Sequence, residues 1–193
     1  PPQFGKVAKA YLTQDTQISL DTNKRISNPN ALNLYTLGYD YTKKLSPLST
    51  AAKINLSTYL EQYRMLTDAI NIKEASIINF KLEFDITVKS GYSNDRTLLA
   101  ALSALKIFFN INNWQINQPI NKGDITGLLY NIEGIQTVNN LVFTNLFGEI
   151  SGYSKFKYNF EAATRNNNIY PSLDPSIFEL KYPNTDLIGR VTT

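Results

Sequence analysis

Within Ile77 to Lys89 (IINFKLEFDITVK), apolar and polar residues alternate without a break from Ile78 onward. Ile78, Phe80, Leu82, Phe84, Ile86 and Val88 share one face, and Asn79, Lys81, Glu83, Asp85, Thr87 and Lys89 share the other. Strand side chains point alternately to two faces, so this period predicts a strand with one dry side and one wet side. A half-wet strand belongs to an antiparallel or mixed sheet whose helices cover one face only. Beyond it the period lengthens. After the capping pair Asn94-Asp95, Leu98, Leu102, Leu105 and Phe109 recur at helical spacing. A second helix is predicted from Asn121, with Asp124 three residues on as a variant capping box. Its apolar stripe is Ile125, Leu128, Leu129 and Ile132, and Glu133-Gly134 ends it with a glycine suited to the left-handed cap. Ile135 to Phe147 reads as a returning strand. The centre of the chain is thus strand, helix, helix, strand.

The flanks are less periodic. Gly5 to Thr13 predicts a short strand, Asp21 to Asn30 a polar, turn-rich connection, and Leu32 to Tyr41 an extended aromatic stretch. A helix is expected from Ser46-Pro47-Leu48-Ser49, with serine as cap and Pro47 in the first turn. Ala52, Leu56, Tyr59, Leu60 and Tyr63 would share one of its faces. Met65 to Ile72 is expected to lie beside the long strand. Near the C-terminus, Tyr170-Pro171-Ser172-Leu173-Asp174-Pro175 fits neither a regular helix nor a central strand. Ile177 to Tyr182 alternates again and could add one strand. The expected fold class is α+β: small antiparallel or mixed sheets, helices packed on one face, and an extended proline-containing C-terminal tail. Three regions are expected: an extended β region over 1–45 continuing an absent upstream part, a central α+β domain over 46–148, and a docking segment over 149–193. The start Pro1-Pro2, with Met65 the sole methionine, fits an excerpt or a processed piece of a longer polypeptide.

Composition narrows the chemistry. At 193 residues and 42% hydrophobic content, the chain can bury roughly 70% of its unfolded surface. It has 12 Tyr, 10 Phe and 22 Asn, a globular profile with many loop-favouring amides. Without cysteine there is no disulfide, no thiolate nucleophile and no cysteine zinc site. Without histidine there is no imidazole base and no Ser-His pair. The net charge is +3, but the densest basic spots are only Lys24-Arg25 and Lys43-Lys44, so no nucleic-acid groove is expected. The most apolar run, Leu98 to Phe109, contains Lys106 and falls short of the roughly 20 residues that cross a bilayer, so no membrane partner is expected either.

Four candidate sites come out of the chain. Glu83 and Asp85 share the wet face about 7 Å apart, near the separation of glycosidase carboxylates. Lys81 and Lys89 flank them, as on a solvated strand. Gly148-Glu149-Ile150-Ser151-Gly152-Tyr153-Ser154-Lys155 lacks the spacing of a phosphate loop. Asp15, Asp21 and Asn23 lack the frame of a calcium loop. No catalytic residue, cofactor or metal is expected. The fourth site is Asn113-Trp114-Gln115-Ile116-Asn117-Gln118-Pro119-Ile120, which holds the single tryptophan. An indole needs burial for its ring and one acceptor for its N–H. Trp114 is therefore expected to plug the end of the helix pair, with Gln115, Asn117 and Gln118 satisfying backbone groups nearby. A glycan-binding module using exposed Tyr and Trp with amides is the alternative, and it predicts sugar-dependent quenching of Trp114.

Two groups of strings carry a resemblance. One is Leu37-Gly38-Tyr39-Asp40, Lys43-Lys44-Leu45-Ser46-Pro47-Leu48-Ser49 and Tyr59-Leu60-Glu61-Gln62-Tyr63-Arg64-Met65-Leu66-Thr67. The other is Trp114-Gln115-Ile116-Asn117-Gln118-Pro119-Ile120 with Tyr170-Pro171-Ser172-Leu173-Asp174-Pro175-Ser176-Ile177-Phe178-Glu179. From about Leu37 to Tyr182 the chain resembles the C-terminal region of the baseplate wedge subunit of T-even-type contractile-tailed bacteriophages, within the broader baseplate-J-like group. The resemblance implies a non-enzymatic structural protein of the virion tail, assembled in the host cytoplasm. It implies a dimer within each wedge, wedges joined into a ring around the tail hub, and contacts with other wedge proteins and sheath-initiating proteins. It implies a part in the rearrangement that triggers sheath contraction and genome ejection. On this reading Tyr170, Pro171, Leu173, Pro175, Ile177 and Phe178 form an interface with a neighbouring copy. Removing Tyr170 to Thr193 would then weaken self-association and leave the fold intact.

Overall fold

A computed structural model describes residues 7–18, 25–63 and 69–192. The fold is α+β, with small antiparallel and mixed sheets. It divides into two compact units, Pro1–Ala75 and Ser76–Thr193, so the boundary falls between Ala75 and Ser76 and not after residues 45 and 148.

The first unit is built on a long hairpin. β1 (Val7–Ile18) pairs antiparallel with β2 (Arg25–Tyr39). Both strands run longer than the sequence pattern suggests. Arg25 to Asn30, expected as a connection, belongs to β2, while residues 19–24 lie outside the described residues. Register slips between Gln14 and Asp15, whose partners are Leu32 and Asn28. Pro29 falls in that looped-out stretch, where its missing N–H breaks no rung. On the other edge of β2 lie β3 (Leu45–Ser46), antiparallel, and, after α1 (Thr50–Glu61), β4 (Ala69–Glu74), parallel. Ser49 caps α1, its Oγ accepting from the Ala52 N–H at 3.2 Å. Ser46 and Pro47 precede the helix instead, because Ser46 is taken up pairing with Gly38. No residue of α1 is fully buried. The parallel partner of β4 is β2, which corrects the placement of Met65 to Ile72 beside the long strand; residues 64–68 lie outside the described residues.

The second unit is organised by β5 (Ser76–Val88). Its dry face is almost wholly sealed: Ile78, Phe80, Leu82 and Ile86 are 0% exposed and Phe84 is 1%. α2 (Asn94–Phe108) follows, then β6 (Ile120–Asn121), α3 (Lys122–Tyr130) and β7 (Ile135–Leu146). β7 returns antiparallel along one edge of β5. The inward residues of α2 are Thr97, Ala101 and Leu105, with Phe109 just beyond its end. Leu98 and Leu102 stand beside this line, half-buried. α3 ends four residues before Gly134, which sits at φ +96° against Thr97 and Tyr92 and turns the chain into β7.

The C-terminal stretch is part of this sheet. After α4 (Phe160–Ala163), β8 (Thr164–Arg165) and β9 (Asn168–Ile169) form a short ladder with β6. Then β10 (Ser176–Glu179) and β11 (Leu187–Val191) pair parallel with β5, over Ser76 to Asn79 and Leu82 to Ile86. Asn79 is opposite Leu146 of β7 and also Glu179 of β10, which places β7 on one edge and β10 with β11 on the other. Gly189 lets this packing close: a Cβ there would lie 2.5 Å from Phe84 Cζ and 2.7 Å from Leu98 Cδ1. Rings fill the rest. Phe80 meets Phe109 at 5.1 Å, Phe143 at 5.5 Å and Phe160 at 6.2 Å, and Phe160 meets Phe178 at 5.9 Å.

The tail is therefore a constituent of the core, and the expectation that it can be removed without loss of the fold is corrected. Deleting Tyr170 to Thr193 strips β5 of one whole edge and removes Ile177, Phe178, Leu180 and Leu187, each 5% exposed or less. Such a truncation should lack a cooperative unfolding transition for the second unit; circular dichroism through a thermal ramp, with near-ultraviolet bands from the aromatic cluster, measures this.

Candidate interaction surface

The segment around Trp114 is a seam. A 3₁₀ turn over Ile111–Asn113 ends α2 and swings the indole back beneath it. Trp114 is 4% exposed. Its Nε1–H donates to the Phe108 carbonyl at 2.9 Å, and its ring stacks on Phe109 with centroids 5.5 Å apart. Gln118 Oε1 accepts from the Gln115 N–H at 2.9 Å and holds the turn. Asn117 takes a left-handed conformation, φ 64°, which asparagine tolerates better than most residues. From there it bonds Ser176 twice: its N–H donates to the Ser176 carbonyl at 2.8 Å, and its Oδ1 accepts from the Ser176 N–H at 3.3 Å. The amide extends the sheet by one side-chain rung at the head of β10. Because the indole is covered and its N–H is used, Trp114 presents no face for a sugar to stack on.

A second set of amides fixes the segment after β7. Asn79 is fully buried. Its Nδ2 donates to Glu179 Oε2 at 2.8 Å, and its Oδ1 accepts from the Ser154 N–H at 2.8 Å. Ser154 Oγ donates to the Ile77 carbonyl. Asn145 Nδ2 donates to the Asn79 carbonyl at 3.0 Å, while its Oδ1 accepts from the Tyr158 N–H at 2.9 Å. Asp186, 3% exposed, accepts from Tyr153 Oη at 2.7 Å and from the Tyr182 N–H at 2.9 Å. Burial and the Asp186 carboxylate push the Tyr153 hydroxyl up to about 12, and burial does the same for Tyr158. Asn79 stood on the predicted wet face, and nothing in a single sequence distinguishes a covered amide there from a solvated one.

The proposed interface residues separate. Pro175 is buried and its carbonyl accepts from the Ser76 N–H at 3.0 Å. Ile177 and Phe178 are 0% and 2% exposed within β10. These three are bound inside their own sheet, which corrects their assignment to a contact with a neighbouring copy. Pro171 is half-buried, and Tyr170 and Leu173 remain exposed at 46% and 86%. Other exposed apolar side chains in this unit include Leu99, Ile107, Val142, Phe147 and Ile150. Beside the seam, Ala104, Ile107, Phe108, Trp114 and Leu128 line an open groove of about 290 Å³.

On the open face, the cations around Glu83 oppose its acting as a general acid. Lys81 Nζ lies 2.9 Å from Glu83 and Arg190 lies 3.6 Å away. The Lys81 hydrogen bond, with the charges of Lys81 and Arg190, holds the Glu83 carboxyl below its ordinary range, whereas a general acid needs the opposite shift. Asp85 accepts from Asn140 Nδ2 at 3.4 Å. Among the described residues, no group of three acidic side chains converges as a metal site, and no helix is long and apolar enough to cross a membrane.

No family model matches this sequence, and no curated protein does. Among solved structures, the cryo-EM structure of the anti-feeding prophage (AFP) baseplate, 6-fold symmetrised, is similar over 85% of this chain at 14% identity and a TM-score of 0.45. This chain spans 29% of the length of that one. A likeness of that size assigns neither family nor function.

Two outcomes test the seam. Asn117→Ala removes the Oδ1 acceptor and places a Cβ residue without a polar group at positive φ; urea unfolding should show a loss of about 1–3 kcal/mol, of which Asn117→Gly, free of the backbone strain, recovers part. Tyr153 and Tyr158, each raised to about 12, contribute to alkaline stability. A hydroxyl whose folded pKa lies above its unfolded value stabilises the fold below the unfolded pKa, and that contribution disappears as pH rises through the folded one. Stability should therefore fall between about pH 10 and 12, and less steeply in Tyr153→Phe, as read from urea midpoints across that range.

Proposed function

We propose that this chain is a structural part of a phage tail baseplate wedge. It self-associates within the wedge, helps join wedges into the ring around the tail hub, contacts other wedge and sheath-initiating proteins, and takes part in the rearrangement that triggers sheath contraction. It is not an enzyme on this reading, and it works in the virion after assembly in the host cytoplasm.

The observation that carries the proposal is the seam. The resemblance to the wedge subunit rests partly on two strings far apart in sequence, Trp114 to Ile120 and Tyr170 to Glu179. In the fold they meet at the paired bonds between Asn117 and Ser176. Residues that support the resemblance are thus the ones that close the second unit into one block. The polar groups there face backbone, and they hold a shape. The histidine-free sequence agrees with a part that bears load.

Antibodies raised against this chain provide the test. Applied to contractile-tailed particles from cells encoding the sequence, they should label the distal, baseplate end of the tail in negatively stained micrographs, with the chain present by mass spectrometry in purified particles. Tails that carry no label, with the chain confined to the soluble fraction, would overturn the proposal.

A further inference from the structure

An antiparallel sheet exposes the unpaired N–H and C=O groups of its edge strand, and proteins usually guard such edges with charge, proline or a cover. In this chain, among strands longer than two residues, β1 carries Lys9 and Asp15, β2 Arg25, β4 Lys73 and Glu74, β5 Lys81, Glu83 and Asp85, β10 Glu179 and β11 Arg190. β7 (IQTVNNLVFTNL) has no charge and no proline over its 12 residues. It is also an edge: among the described residues its only strand partner is β5. Its first part is spoiled for further pairing, since register breaks leave Gln136 and Asn139 without partners on β5, and the Val138 N–H donates to Tyr130 Oη at 3.4 Å. From Asn140 to Thr144 the register is unbroken, opposite Asp85 to Lys81. Asn140, Val142 and Thr144 lie exposed on the open face, Val142 at 40%.

We propose that this edge pairs with the same edge of a second copy, antiparallel about a two-fold axis at Val142. The inference rests on the self-associating wedge reading and gives that association a place. Symmetry selects the occupant. In an isologous pair every residue meets its mate across the axis, so Val142 meets Val142, Leu141 meets Phe143, and Asn140 meets Thr144. A charged residue on the axis would face its own charge, and like charges directly opposite destabilise a strand pair. β7 is the one longer strand that carries no charge anywhere along its length. The pairing set it gives is favourable on both faces: β-branched valines and an Asn-Thr pair on the open side, and Leu with Phe on the helix-covered side.

Sedimentation of the intact chain over a concentration series tests this. The wild type should reach twice the 21.8 kDa chain mass. Val142→Lys should remain at that single mass over the same range and melt cooperatively at the temperature of wild type diluted to the monomer, because the Val142 side chain is exposed on the open face. Val142→Glu should also be monomeric, and an equal mixture of the two should recover the doubled mass. A wild type monomeric throughout would overturn the proposal. A dimer that survives Val142→Lys would also overturn it, while leaving self-association through another surface, and hence the wedge reading, standing. Labelling of the baseplate is independent of both outcomes.

Discussion

β5 is bonded along both edges and dry along one face, and the second unit is arranged to satisfy those demands. Buried backbone groups must be paired. One edge is met by the next long strand, β7, in the antiparallel sense. The other takes β10 and β11, which run parallel and come from the far end of the chain. Parallel partners cannot be joined by a tight turn, so everything between β7 and β10 has to travel around the sheet. That detour is the Gly-, Asn- and Tyr-rich stretch whose composition suggests an appendage. It is the connection that brings the last edge home.

A long irregular connection carries many backbone groups without ladder partners. Asparagine side chains supply them here. Asn79, Asn117 and Asn145 each present a donor, an acceptor or both to main chain, and Asn110, Asn121 and Asn159 do the same at helix starts. A short amide reproduces the geometry of a peptide group at the end of one rotatable side chain, so it can extend a sheet or cap a turn where regular structure stops. The abundance of asparagine is therefore structural. It also explains how loops can be rigid in a chain without cysteine: a buried network such as Asn79, Glu179 and Ser154 fixes one arrangement, because its partly bonded alternatives leave polar atoms desolvated.

The elements that were legible in the sequence are those governed by local periodicity. The alternation over β5, the two helices after it and the return of β7 all follow from where apolar residues fall, and the indole of Trp114 needed the burial it has. What was not legible depends on contacts distant in sequence. Ser49 caps α1 because Ser46 is drawn into pairing with β2. β4 joins β2 and not β5 for the same kind of reason: its alternation offers no preference between two sheets. Ile177 and Phe178 illustrate the limit most clearly. An apolar pair after a Pro-rich stretch suits an interface or a core equally well, and only the vacant edge of β5 decides between them.

The same reasoning bears on what surface is left for partners. Once β10 and β11 are assigned to β5, the extended tail no longer offers a continuous apolar strip; its exposed large side chains are Tyr170, Leu173 and Tyr182, and scattered apolar residues are ordinary on any surface. On the open sheet face Lys81 and Arg190 both pair with Glu83, so that carboxylate is met within the chain. β7 differs in kind. Its free groups are main-chain donors and acceptors, whose spacing is fixed by the strand and cannot be met by rearranging side chains. An uncharged edge of this sort is a hazard in a protein that works alone, and it is tolerable in one whose edge is covered on assembly. A building block held rigid by its amides, with one unguarded strand edge, has the physical character of a component.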